Sequence, residues 1–216
     1  MKILDLCCGA GGCSMGYHQA GFEPVGVDLK PQKNYPFKFI QGDAIEFLQN
    51  ADLSEYAFIH ASPPCQAYSA AGAPHRKNGK EYPRILNQIR ERLHATGKHY
   101  IIENVPGAPL KHPVTLCGTM FKGLNVIRHR LFETSFFCPP PGQCNHKGTV
   151  KNGDYVTVCG HGSYKDLDKI ENWRCAMGIN WMTRAEITQA IPPLYTQHIG
   201  EMFKTYVIKT YAEASI

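Results

Sequence analysis

Long apolar runs are missing from this 216-residue chain. None approaches the roughly 20 consecutive apolar residues needed to cross a bilayer, and Asp5 interrupts the N-terminal apolar stretch before it could act as a signal-peptide core. The expectation is a cytoplasmic protein that does not enter a membrane. Charge is sparse as well, 19% Asp, Glu, Lys and Arg against 43% hydrophobic residues, a balance that excludes a disordered chain. Internal repeats and separating linkers are absent. No lysine follows the N-terminal glycines at Walker spacing, which favours a nucleoside ligand over a triphosphate. What remains is enough chain for one sizeable core, read as a single α/β domain with a small appended lobe. Its nine cysteines are odd in number and accompany no export signal, so reduced thiols are expected.

The net charge of +5 is concentrated. Between His75 and Lys98 stand seven Lys or Arg (Arg76, Lys77, Lys80, Arg84, Arg90, Arg92 and Lys98) against Glu81 and Glu91, so the rest of the chain is neutral. Such a segment suits either a bound polyanion, nucleic acid first, or a solvated helix face.

The stretch Ala57-Phe58-Ile59-His60-Ala61 reads as a buried strand running into Ser62-Pro63-Pro64-Cys65-Gln66. Two prolines hold the backbone extended and fix the direction in which Cys65 leaves the strand end. The carboxyl ends of parallel strands are where α/β proteins bind ligands, so Cys65 is read as a nucleophile or, alternatively, as a small buried hydrophobe. Residues 99–102 form another buried strand, and Glu103 at its end enters the same crevice as Cys65.

Three acids mark the other strand ends. Asp5 closes the strand of residues 2–6 ahead of the glycine-rich turn Cys7-Cys8-Gly9-Ala10-Gly11-Gly12; Asp28 ends Val25-Gly26-Val27; Asp43 follows Phe39-Ile40-Gln41-Gly42. Each alone suits a turn or helix cap, whereas the ordered trio describes an adenosine pocket beside a helix N-terminus. Residues 66–80 lack periodicity and read as a mobile loop. Residues 81–96 form an amphipathic helix, with Ile85, Leu86, Ile89 and Leu93 on one face, Pro83 in the first turn and Gly97 past the end. Residues 125–132 have strand composition, and a period of two places Arg128 and Arg130 on one face, suited to a phosphate, a base carbonyl or a structural ion pair.

Residues 137–181 form an irregular lobe without a long helix, opened by Pro139-Pro140-Pro141. It contains Cys138, Cys144, His146, Cys159 and His161, whose spacings match no common zinc pattern, and no metal is expected. The chain then returns to the core and ends in a helix over residues 194–211. The division is a catalytic and cofactor-binding core at 1–136, the lobe at 137–181, and the return at 182–216.

Taken in order, these motifs resemble the cytosine-C5 DNA methyltransferases. Asp5 to Gly12 is similar to that family's first cofactor motif, Pro64-Cys65-Gln66 to its catalytic loop, Glu103-Asn104-Val105 to its glutamate motif, Arg128-His129-Arg130 to its arginine pair, and Gln189-Ala190-Ile191-Pro192-Pro193 to its closing motif. The resemblance implies a Rossmann-like fold, a mostly parallel sheet flanked by helices, with a small target-recognition lobe and S-adenosylmethionine as cofactor. It implies catalysis by Cys65, Glu103, Arg128 and Arg130. The cofactor would be bound by Asp5, Leu6, Cys7, Gly9, Gly11, Gly12, Asp28, Asp43 and Gln189. Contacts with double-stranded DNA, its target base flipped, would come from Pro64, Gln66, Ser69, Arg76, Lys77, Lys80 and Asn104. A monomer, either standing alone or protecting against a restriction endonuclease, fits a compact phage-like member. The chain departs from the pattern at Cys7, where many relatives have an aromatic, at Thr188-Gln189 in place of glycine-asparagine, and in its short lobe. An RNA or free-nucleotide cytosine methyltransferase and a non-catalytic DNA-binding relative are the alternatives.

Overall fold

The computed structural model describes residues 1–158 and 169–214. Strands and helices alternate through the first half: β1 (Lys2–Leu6), α1 (Gly12–Gln19), β2 (Glu23–Asp28), β3 (Lys38–Gln41), α2 (Ala44–Asn50), β4 (Tyr56–Ala61), α3 (Ala73–Lys77), α4 (Leu86–Ala95) and β5 (His99–Asn104). A hairpin-like pair, β6 (Val114–Leu116) and β7 (Arg130–Thr134), precedes α5 (Ile170–Met177), α6 (Arg184–Gln189) and α7 (Pro193–Ala214). The sheet order is β3-β2-β1-β4-β5-β7-β6, parallel through β5, with β7 antiparallel to both neighbours. Order reverses between β1 and β4, which opens a crevice outside their carboxyl ends.

Both faces of the sheet are covered, so its strands read as continuous apolar runs. Adjacent residues nevertheless go to opposite sides. Ile3, Phe58 and Ile101 pack with Tyr17 of α1 and Tyr195, Ile199 and Phe203 of α7. Leu4, Ile59 and Ile102 pack with Leu48 of α2 and Leu86, Ile89 and Leu93 of α4. Helices α1 and α7 come very close at Gly16, where an added Cβ would lie 2.0 Å from the Pro193 carbonyl oxygen. Among the described residues, no helix is long and apolar enough to cross a membrane.

Several sequence expectations shift. The loop of residues 66–80 contains α3, closed by Arg76, whose guanidinium donates to the carbonyls of Gln66 and Ser69. The helix expected over 81–96 begins only at Leu86, because Pro83 disfavours helical geometry at Tyr82 and Ile85 serves as its N-cap. The strand expected over 125–132 is largely absent. Val126 makes an isolated bridge with Val156, and regular pairing starts at Arg130. The lobe is packed on the core: Val156, Val158, Trp173 and Met177 share a buried cluster with Ala10, Val126, Ile187 and Ala190.

Candidate active site

Strand parity gathers the polar residues. Asp5 pairs with His60 across β1 and β4, and His60 pairs with Ile101 of β5. Counting by twos from Ile3, Phe58 and Ile101 therefore puts Asp5, His60 and Glu103 on the face covered by α1 and α7. On β7, Phe132 pairs with Glu103 and belongs to the same face, which carries Arg130 there as well. The Arg130 Nε lies 3.2 Å from Glu103 Oε1. That oxygen is buried and, among the described residues, accepts no hydrogen bond. Burial raises the Glu103 pKa, with Arg130, the Ser62 hydroxyl and Arg128 opposing it. A carboxyl that holds its proton more readily than usual, beside a guanidinium, suits proton donation to a ring nitrogen.

Cys65 stands at the rim of this cluster, half-buried, in a turn whose carbonyl accepts from the Tyr68 and Ser69 amides, each at 2.9 Å. Burial and Glu103 raise its thiol pKa, while Arg130 and Arg128 pull it down. Its resting form is the thiol. Asn104 fixes the distance between the two motifs: its amide donates to the Pro63 carbonyl at 3.0 Å and its side-chain oxygen accepts from the Val105 amide. Expected to face substrate, Asn104 is fully buried and staples the Pro-Pro-Cys loop to β5.

Two residues escaped the motif reading. Tyr17 and His60 Nδ1 are 2.8 Å apart, and His60 Nε2 lies 2.9 Å from the Ser62 hydroxyl, which in turn lowers the Glu103 pKa. Burial pushes His60 down to about 3, so the ring is neutral and links Tyr17 to Ser62, the residue that opens the Pro-Pro-Cys loop. The available signal was parity: a histidine in an apolar strand, in step with Asp5 and Glu103.

The arginines separate in role. Arg130 reaches Glu103, whereas Arg128 is buried, donating to the Val158 carbonyl at 2.9 Å and the Thr188 carbonyl at 2.7 Å. Tyr195 donates to the Arg128 carbonyl. Arg128, expected among the catalytic residues, braces the lobe and closing motif against the site through its two terminal nitrogens, while its buried Nε has no partner among the described residues.

The acids surround the glycine turn. Asp5 is buried, accepts from Ser14, and leaves Oδ1 without a partner among the described residues; burial raises its pKa to about 7. Asp28 accepts from the Gly9 and Lys30 amides, each at 3.0 Å, bracing the turn. Asp43 is the N-cap of α2, accepting from Ile45 and Glu46. Cys7, Gly9 and Gly11 adopt positive φ, and a Cβ at Gly9 would meet nothing within 4 Å. The open space at Gly9, the orphaned Asp5 oxygen and the acids at successive strand ends fit a nucleoside cofactor carrying positive charge. Leu6, expected to contact cofactor, is instead a core residue whose carbonyl accepts from the Ser62 amide. Gln189 is exposed at the end of α6. The closing motif meets the turn through Ile191, whose carbonyl lies 2.5 Å from a Cβ built on Gly12.

Of the basic segment, Arg90 is buried against Glu133 with Nε to Oε1 at 2.8 Å, and Lys98 donates to the Ser54 and Tyr56 carbonyls. Lys77, Lys80 and Arg84 remain exposed, the last two lining, with Ala67, Arg76 and Tyr82, an open groove of about 530 Å³. The lobe's cysteines and histidines also regroup. Cys138 joins the core, Cys144 and His146 meet Cys117 and His129, and Cys159 and His161 lie outside the described residues.

Comparison with known proteins agrees with this layout. A family model described as C-5 cytosine-specific DNA methylase matches residues 1–123. The Type II methyltransferase M.FnuDI of Fusobacterium nucleatum is 35% identical over 120 residues, covering 50% of this chain and 33% of that protein. M.AquIA of Picosynechococcus sp. is 32% identical over 124 residues, 49% of each. The chain thus spans a third to a half of the length of these relatives. A crystal structure of a prophage-encoded protein from E. coli, described as a DNA modification methyltransferase, superposes with a TM-score of 0.61 at 13% identity, over 96% of this chain and 99% of that one, a likeness of fold alone. With the matched model covering β1 through β6 and every strand-end motif between them, the chain belongs to the C-5 cytosine-specific DNA methylase family.

Proposed function

We propose that the protein methylates C5 of cytosine in double-stranded DNA, with S-adenosylmethionine as donor. The observation that carries this is the buried Glu103 carboxyl, ion-paired with Arg130 at 3.2 Å, next to the Cys65 loop. C5 of cytosine is too weak a nucleophile to take a methyl group unaided, so the ring must first be activated at C6. The Cys65 thiol gives its proton to water and its sulfur bonds to C6. Glu103 gives its proton to N3 and receives the exocyclic amine, while Arg130 holds O2 and offsets the charge developing there. The cofactor, when bound between Asp5, the Gly9–Gly12 turn, Asp28 and Asp43, supplies the methyl group. Loss of the C5 proton to water then breaks the C–S bond, releases the Cys65 thiolate and returns the N3 proton to Glu103.

A stacked base cannot reach Cys65, so the cytosine is flipped out of the duplex, with the 66–80 loop closing over it and Lys77, Lys80 and Arg84 taking phosphates. Residues 137–181 read the target, and the short lobe suits a brief or permissive one. The exposed Leu29, beside Asp28, offers the adenine an apolar face in place of an aromatic at Cys7. A cytoplasmic monomer, standing alone or protecting DNA against a restriction endonuclease, completes the reading.

The test is expression in a methylation-deficient host, followed by sequencing that reports 5-methylcytosine in context. Methylation at a defined short motif, lost in Cys65→Ala with the fold intact, is the expected result. Unmodified DNA from the active chain, together with methylated RNA or free nucleotide, would move the activity to the other substrate class. Cofactor binding without any transfer would leave a binding protein.

A further inference from the structure

Cys117 closes β6 and His129 immediately precedes β7. Leu116 pairs with Arg130 in the antiparallel ladder, so Cys117 and His129 face one another one step beyond it. Cys144 and His146, alternating residues of the lobe, fold back onto this pair. Cys144 Sγ lies 2.8 Å from His146 Nε2 and 3.4 Å from His129 Nε2, and Cys117 Sγ lies 3.4 Å from His146 Nε2. All four ligand atoms fall within 4.8 Å of one another. Zinc bonds of about 2.3 Å to sulfur and about 2.0–2.1 Å to nitrogen require tetrahedral edges of roughly 3.3–3.8 Å. Two of the three measured edges fall in that range; the third, at 2.8 Å, is shorter and reaches tetrahedral length when the Cys144 and His146 side chains move apart by about 0.5–1 Å.

From this geometry we infer that Cys117, His129, Cys144 and His146 form a structural zinc site. The donors are soft sulfur and imidazole nitrogen without a carboxylate, a set that selects zinc over magnesium or calcium. Two thiolates balance the ion's charge. Four protein ligands leave no open position, as a structural site requires. Thr119 supplies outer support: its hydroxyl lies 3.5 Å from both sulfurs and accepts from the Asn145 amide at 3.2 Å. The ion would tie the lobe to the end of β6 and to the segment that carries Arg128 and Arg130. The inference does not depend on the catalytic reading, since none of the four side chains is assigned to the reaction.

The test uses the untagged full chain purified without chelator. Elemental analysis should find one zinc per chain, and cobalt replacement should give the visible absorption of a tetrahedral ion with thiolate ligands. Cys144→Ser and His146→Ala, both at exposed positions, should each lower the metal content severalfold, while Cys175→Ser, exposed on α5 and outside the cluster, should retain it. Chelation should lower the thermal midpoint of the wild type and leave that of the variants unchanged. Metal-free wild type with no cobalt spectrum, a Cys117–Cys144 disulfide in the unreduced protein, or full zinc in the Cys144→Ser/His146→Ala double variant would each overturn the assignment.

Discussion

Replacing Asp5 by Asn should remove a large pH dependence from the stability of this fold. The Asp5 carboxyl is fully buried, and desolvation raises its pKa from 3.8 to about 7; the Ser14 hydrogen bond opposes that rise, while Asp28 and Glu103 add to it. A folded-state pKa above the unfolded one means the folded chain holds the proton more tightly. The associated stability is fully present below the unfolded pKa and is lost as pH rises through about 7. The whole displacement corresponds to roughly 4 kcal/mol. His60 works in the other direction. Burial depresses it to about 3, so its contribution is present above its unfolded value of 6.5 and is lost as pH falls. The wild-type profile alone is therefore a composite, and the informative quantity is the difference between variant and wild type. Asparagine retains an acceptor for Ser14 and nearly the same volume. In urea unfolding from pH 4 to 8.5 without cofactor, the variant should gain on the wild type by about 1.4 kcal/mol per pH unit through the middle of the range, levelling off above about 7.5. A flat difference across that range would refute the buried, proton-holding Asp5.

Four further outcomes follow from the same packing and charge arrangement. Glu103→Gln should leave the unfolding midpoint near the wild-type value and lower methyl transfer by about 10²–10⁴-fold in a single-turnover assay, since the amide cannot donate a proton to N3 in the same way. Arg130→Met should raise the Cys65 thiol pKa further, seen as an upward shift in the pH profile of its alkylation, because Arg130 is the larger of the two guanidinium influences lowering it. Glu133→Ala should destabilise the fold by about 3–5 kcal/mol in urea, leaving Arg90 buried without its carboxylate. Gly16→Ala should cost about 1–3 kcal/mol in the same assay, because the new methyl meets the backbone of α7; an unchanged midpoint would mean that α1 and α7 do not approach as described.

The sequence determined what depends on short-range chemistry. The apolar runs that carry Asp5, Asp28 and Glu103, and the run that leads to Cys65, specified strands of a doubly covered sheet, because their alternation buries residues on both faces. The Pro63-Pro64 pair specified a stiff presentation of Cys65, because proline restricts its own φ and the conformation of the residue before it. The C-terminal helix was legible from its apolar pattern, although α7 runs from Pro193 to Ala214, beyond the expected bounds. Only the tertiary structure decided what depends on partners distant in the chain. Arg128 and Arg130 look equivalent in sequence, yet one finds the Val158 and Thr188 carbonyls and the other finds Glu103. Asn104 became a staple because Pro63 lies across the strand end, and His60 became a link to Ser62 because α1 brings Tyr17 onto it. Cys144 and His146 met Cys117 and His129 because the β6–β7 ladder sets the latter pair face to face, a register that spacing along the chain does not encode.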